Sequence, residues 1–171
     1  MGITVYELSS HKFSMNVSMI KNCAAEIARD LDISHVDVTI QGQHTIGRDT
    51  VRGNIQKCMY ADSNREVSAY FIMLKSTLSP QKLLEVLMHE FRHLWQFENN
   101  QYSVNDSKLD DSTPYLERPC EIDARNYSEG NKHKIPNMIV RSANWNIKRL
   151  EKIIFKQNIQ IESMSNAGLE V

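Results

Sequence analysis

Apolar residues along the chain change their spacing at a few definite places, and those changes mark out the elements. From about Ser14 to Leu31, Val17, Ile20, Ala24, Ile27 and Leu31 step by three and four, which is one face of a helix. Val36, Val38 and Ile40 then alternate with Asp37, Thr39 and Gln41, the pattern of a half-buried strand. Gly42 to Thr50 is polar and reads as a loop. Ile55–Ala61 and Val67–Leu74 read as a second and a third strand, joined through Asp62-Ser63-Asn64-Arg65. Tyr70 to Leu74 is apolar at every position, which predicts cover on both faces.

The second half of the chain reads as helical. Ser79-Pro80 starts a helix well, because serine caps and proline suits the first helical position. Leu84, Leu87, Met88, Phe91, Leu94 and Trp95 form its apolar stripe, with Leu87 and Phe91 expected in the core. Asn99 to Ser112 is a polar connection. A further helix from Thr113 or Pro119 is expected to stop near Gly130. The last helix, after Pro136, carries Val140, Ala143, Ile147, Leu150 and Ile154 at 3–4 spacing, and Ser163 to Val171 reads as a frayed tail. The order is helix, three-stranded antiparallel or mixed sheet, then helices. That predicts one α+β domain over residues 1–162.

Composition narrows the functional classes. The chain has 171 residues, 41% hydrophobic and 24% charged, enough to bury a core without disulfide or metal staples. A net charge of -1 provides no global basic field, so nucleic acid is not expected as a partner. The longest apolar run, Ala69 to Leu74, is far too short for a bilayer, and no signal or myristoylation pattern opens the chain. Cys23, Cys58 and Cys120 are odd in number and widely spaced, which suits reduced thiols and a cytoplasmic location.

Chemistry enters with His89-Glu90-Phe91-Arg92-His93, an H-E-x-x-H motif inside the strongest helix. Four residues are just over one turn, so both imidazoles leave the same face and can share one zinc ion. Glu90, about 100° further round, reaches the metal's water and can act as its general base. Chance alone would place the motif in roughly one chain in seventy of this composition, so its position within an amphipathic helix matters. Read without a metal, the same residues are a solvated polar stripe.

A third ligand is needed. Gln96 and Asn99 stand where the extended H-E-x-x-H-x-x-G-x-x-H pattern requires Gly and His, so that pattern fails. The acidic segment Tyr115 to Arg125 offers Glu117, Glu121 and Asp123. Glu117 and Glu121 share a face by spacing, but Pro119 at a helix start would hold Glu121 on the rigid first turn. Asp123 points elsewhere on an ideal helix and suits a place behind the ligands, orienting an imidazole.

His89-Glu90-x-x-His93 followed by Glu121-x-Asp123-Ala124 resembles the minimal zincin metallopeptidases of the gluzincin type. Among these it is similar to the small bacterial and phage peptidases of the ImmA/IrrE kind, over roughly Val36 to Tyr127. The resemblance implies a zincin-like fold, Zn²⁺ on His89, His93 and Glu121, and Glu90 as base. It also implies hydrolysis of a peptide bond in a protein or peptide substrate, laid along an edge strand within Ile55–Ala61 or Val67–Leu74. The alternative is a catalytically silent zincin-like binding or regulatory module that keeps a structural metal; a helical interaction domain with a fortuitous motif is a further one.

Other signals are weaker. His11, His35, His44 and His133 read as surface residues, with His133 the least implausible spare ligand. Cys120 is a candidate redox-sensitive thiol or an inert one. Tyr115, Arg125 and Tyr127 are unranked candidates to stabilise an oxyanion. Arg141, Lys148, Arg149, Lys152 and Lys156 make the last helix basic, a solvated face or a surface for an acidic partner.

Overall fold

The structure, a computed structural model, describes residues 2–7, 12–46, 52–62, 65–101 and 113–167, excepting the side chains of 58–62, 65–68, 158 and 160–167. It is α+β, with a four-stranded mixed sheet in the order β1-β2-β4-β3. The strands are β1 (Ile3–Tyr6), β2 (Asp37–Gln43), β3 (Gly53–Asp62) and β4 (Arg65–Lys75). β1 runs parallel to β2 with Ile3 beside Val38, and β2 parallel to β4 with Ile40 beside Ile72. β3 folds back antiparallel on β4, with Ile55 beside Ile72 and Gly53 beside Leu74.

Four expectations about the strands change. The sheet has four strands, not three, because Ile3–Tyr6 pairs at an edge; four residues are too few to show an alternation. β2 runs on through Gly42 to Gln43, where a loop was expected, since its pairing with β4 carries it. β4 is flanked on both sides from Ala69 to Leu74, so of the two proposed strands only β3 offers a free edge along its length among the described residues. Tyr70, Ile72 and Leu74 are buried, but Phe71 and Met73 are only half-buried. Cover is one-sided there because the helices share the face of Tyr70, Ile72 and Leu74.

Helix α1 (Val17–Asp30) is capped by Asn16, whose side chain accepts from the Ser18 N–H. Ser79 likewise caps α2 (Pro80–Glu98), with Pro80 opening it. Both helices end without glycine: Asp32 and Asn100 take positive φ, 56° and 50°. The Ile33 and Gln101 N–H groups then reach back to the carbonyls of Ala28 and Gln96, which satisfies groups the last turns would leave open. Ile20, Cys23, Ala24 and Ile27 of α1 and Leu84, Leu87, Phe91 and Leu94 of α2 meet in one core over the sheet. Leu87 and Phe91 are wholly buried, as their place on the stripe predicted.

A one-turn 3₁₀ helix at Tyr115–Glu117 precedes α3 (Pro119–Asn131), so the helix starts at Pro119 rather than Thr113. It ends at Asn131, one residue past Gly130, as expected, and a single 3₁₀ turn, Lys132–Lys134, leads straight into α4 (Ile135–Ala167). The last helix thus begins one residue before Pro136, and it continues through Ser163–Ala167, where a frayed tail was expected. Residues 168–171 of that tail lie outside the described residues. Among the described residues no helix is long and apolar enough to cross a membrane.

Candidate metal centre

The centre of α2 faces the start of α3, and three donor groups converge between them. His89 and His93 project from one side of α2, one turn apart, because they are i and i+4. Glu121 sits in the first turn of α3, two residues after Pro119. His89 Nε2 lies 3.2 Å from Glu121 Oε2, His93 Nε2 lies 3.2 Å from Glu121 Oε1, and the two Nε2 atoms are 3.1 Å apart. Among the described residues, His89, His93 and Glu121 form a group able to hold a metal ion. For bonds of about 2.0–2.1 Å in a tetrahedral site, ligand atoms should stand about 3.3 Å from one another. With one donor atom from each residue within 4.8 Å of the others, two imidazoles and a carboxylate could hold a metal ion.

The electrostatics fit a cation as well. Burial pushes the Glu121 carboxyl up, but hydrogen bonds from His89, His93 and Tyr115 outweigh it and hold it well below the usual carboxylate range. Burial pushes His93 down, yet the hydrogen bond and charge of Glu121, with Gln96 and Glu90 behind them, leave it raised. Glu90 is buried, and desolvation lifts its carboxyl to about 7 against the pull of the two histidines. Two carboxylates in so dry a place are costly unless positive charge joins them.

A cavity of about 540 Å³ opens on this cluster, lined by His89, Glu90, Glu121, Gly53, Tyr115 and Arg125 among others. Gly53, the first residue of β3, makes the close approach possible. A Cβ there would stand 2.6 Å from Glu90 Oε1 and 2.6 Å from Val86 Cγ1, so no other residue fits without displacement. The edge strand thus begins directly beside Glu90.

Behind the ligands lies a polar network. Gln96 Oε1 is 2.8 Å from His93 Nδ1, and Gln96 Nε2 donates to Asp123 Oδ2 at 2.7 Å and to the Cys120 carbonyl at 3.0 Å. Asp123 also takes two hydrogen bonds from Arg92, from Nε at 2.8 Å and Nη2 at 3.1 Å. The Arg92 guanidinium stacks 3.8 Å over Trp95 and 5.4 Å from Tyr127. Asp123 therefore reaches His93 only through Gln96. Sequence reasoning missed Gln96 as an orienting group and used it only to reject a longer motif. Its position three residues after His93, on the same helix face, was the available signal.

The remaining candidates separate cleanly. Glu117 is exposed on the 3₁₀ turn and outside the cluster. Tyr115 turns its hydroxyl to Glu121, and burial with that bond raises its pKa. Arg125 lines the cavity while donating to the Leu116 carbonyl at 2.5 Å, and Tyr127 is not among the lining residues. His35 lies 3.4 Å from Glu98, His133 bonds the Gly130 carbonyl at 2.9 Å, and His44 follows β2; none joins the cluster. His11 lies outside the described residues. Burial, then the charge of Glu121, pushes the Cys120 thiol up, which disfavours a reactive thiolate.

Comparison with protein-family models, with curated proteins and with solved structures finds no match.

Proposed function

We propose that this protein is a zinc-dependent peptidase of the zincin kind, cleaving a peptide bond in a protein or peptide substrate. The observation that carries the reading is the convergence of two imidazoles and a carboxylate, with one donor atom from each within 4.8 Å of the others, held by two helices beside a buried carboxylate. Zn²⁺ bound by His89, His93 and Glu121 would supply Lewis acidity, activating water and polarising a carbonyl. The chain's own groups do the rest. Glu90, with its carboxyl lifted to about 7, is matched to taking a proton from water near neutral pH and handing it to a leaving amine. Tyr115 places a phenol hydroxyl at the cavity wall, where it can donate to oxygen that gains charge. Among the described residues β3 is an unflanked edge whose first residue touches Glu90, so an extended peptide paired along it would bring its backbone to the cavity.

The experiment compares wild type, Glu90→Gln, His93→Ala and Glu121→Ala for metal content, thermal stability with and without chelator, and cleavage of a peptide library. Wild type and Glu90→Gln should hold one zinc and lose about 5–10 °C in Tm on chelation, while the two ligand variants should not respond. Cleavage should fall by about 10²–10⁴-fold in Glu90→Gln. A zinc-loaded wild type that cleaves nothing supports a structural metal instead. Zinc-free wild type, indifferent to chelator, removes the metal reading altogether.

A further inference from the structure

Among the described residues, α4 is buried against the rest of the molecule only in its first turns. Ile135, Met138 and Ser142 are buried there, with the Ser142 hydroxyl donating to the Met19 carbonyl at 3.0 Å and Arg141 paired with Glu26. Beyond Ser142 no described residue of the helix is buried. Val140, Ile147, Leu150 and Ile154 are 56%, 54%, 58% and 55% exposed.

These side chains are ordered, not scattered. Val140, Ala143, Ile147, Leu150 and Ile154 step by three, four, three and four, and Gln157 falls at the next such step. In a heptad this puts β-branched residues at every a position, the choice that favours two parallel strands where Leu fills d, as Leu150 does between Ala143 and Gln157. The stripe exposes several hundred Å², at or above the ~300–600 Å² of the largest patch on ordinary monomers.

We propose that α4 pairs with α4 of a second copy in a parallel, two-stranded coiled coil from Val140 through Gln157, so that the protein is a homodimer. The charges select a second copy over an acidic partner. Lys148, Arg149, Lys152 and Lys156 occupy positions b, c, f and c, away from the seam. An acidic helix laid in the seam would find no cation at e or g to pair with, and identical helices meet no like-charge contact there. Parallel register sets Asn146 of one copy beside Glu151 of the other, an amide facing a carboxylate. The folded domain is no obstacle, because Ser142 lies about 120° and Met138 about 160° around the helix from the centre of the stripe. Two copies would bury about 1,000 Å², at the low end for a specific interface, so the dimer dissociates on dilution. None of this depends on the metal.

Sedimentation equilibrium of the full chain over a concentration series tests it. The mass should rise from 19.8 kDa towards twice that value. Ile147→Glu with Ile154→Glu, both on exposed side chains, should weaken association by about 100-fold or more and leave the circular-dichroism melt of dilute protein unchanged. Trp145→Glu with Ile159→Glu, on another face, should leave association intact. Ile147→Cys should oxidise to a covalent dimer that wild type does not form, since a residues face their own copies in parallel coils. A wild type of 19.8 kDa at the highest soluble concentration overturns the proposal, whether or not it binds anionic lipid vesicles. So does a dimer lost through Trp145 and Ile159, or one in which Ile147→Cys gives no crosslink.

Discussion

Helix α2 buries ten of its nineteen residues, whereas α4 buries none of its described residues beyond Ser142, although both carry apolar residues at three-four spacing. The difference lies in what each one crosses. α2 packs against β3, β4, α1 and α3, while α4 packs on α1 and α2 only in its first turns. An apolar stripe records that a helix has something to cover, not what covers it. The closed surroundings of α2 also allow it to hold Glu90, His93 and Gln96 out of water, with the partners of His93 and Gln96 supplied by α2 itself or by α3. On α4 the same residues would be ordinary solvated side chains.

Three measurements would break or sharpen that contrast. The largest effect is in packing: Leu87→Ala should cost about 2–5 kcal/mol in urea unfolding, while Leu150→Ala in dilute protein should stay within about 0.5 kcal/mol. Equal losses would erase the distinction between the two helices. The next concerns the cost of a dry carboxyl in α2. Glu90, near 7 in the fold against 4.5 in its ordinary state, holds its proton more tightly when folded, so metal-free protein loses stability as pH rises from about 4.5 to about 7. Glu121, which is lowered, acts oppositely and is lost only as pH falls below its unfolded value. Glu90→Gln should therefore stabilise metal-free protein by up to about 3 kcal/mol at pH 8 and by nothing at pH 4. A pH-independent difference between the two proteins would show that Glu90 is solvated. The smallest effect is at Gln96: replacing it with Ala should weaken zinc binding by about 10–100-fold, read by competition with a chelating dye. Unchanged affinity would mean that the network behind His93 does not orient it.

Much of this arrangement was legible from spacing alone. Helices α1 and α2 and strand β2 announce themselves because their period is sustained, and α2 also opens on Ser79 and Pro80. His89, His93 and Glu121 were legible for a related reason: one turn separates the first two, and Pro119 rigidly presents the third. Features set by tertiary contact were not. Gln96 acquires its role only when Asp123 and the Cys120 carbonyl arrive from α3. Gly53 carries no local signal that its missing Cβ makes room for Glu90. Gly130 marks the end of α3 to within one residue but carries no sign that a single 3₁₀ turn leads on into α4, nor does any glycine mark the left-handed ends supplied by Asp32 and Asn100.

The pairing of β1 with β2 bears on how the chain is put together as it is made. Ile3 needs Val38, thirty-five residues later, and a parallel neighbour cannot be reached by a hairpin. Only two residues separate β3 from β4, so those strands can zip together as soon as both are out of the ribosome. β2 then has a template in β4, and β1 has one only once β2 is in place. Synthesis runs from β1 towards β4, and assembly of the sheet runs the other way. The first strand to emerge has the longest wait for a partner.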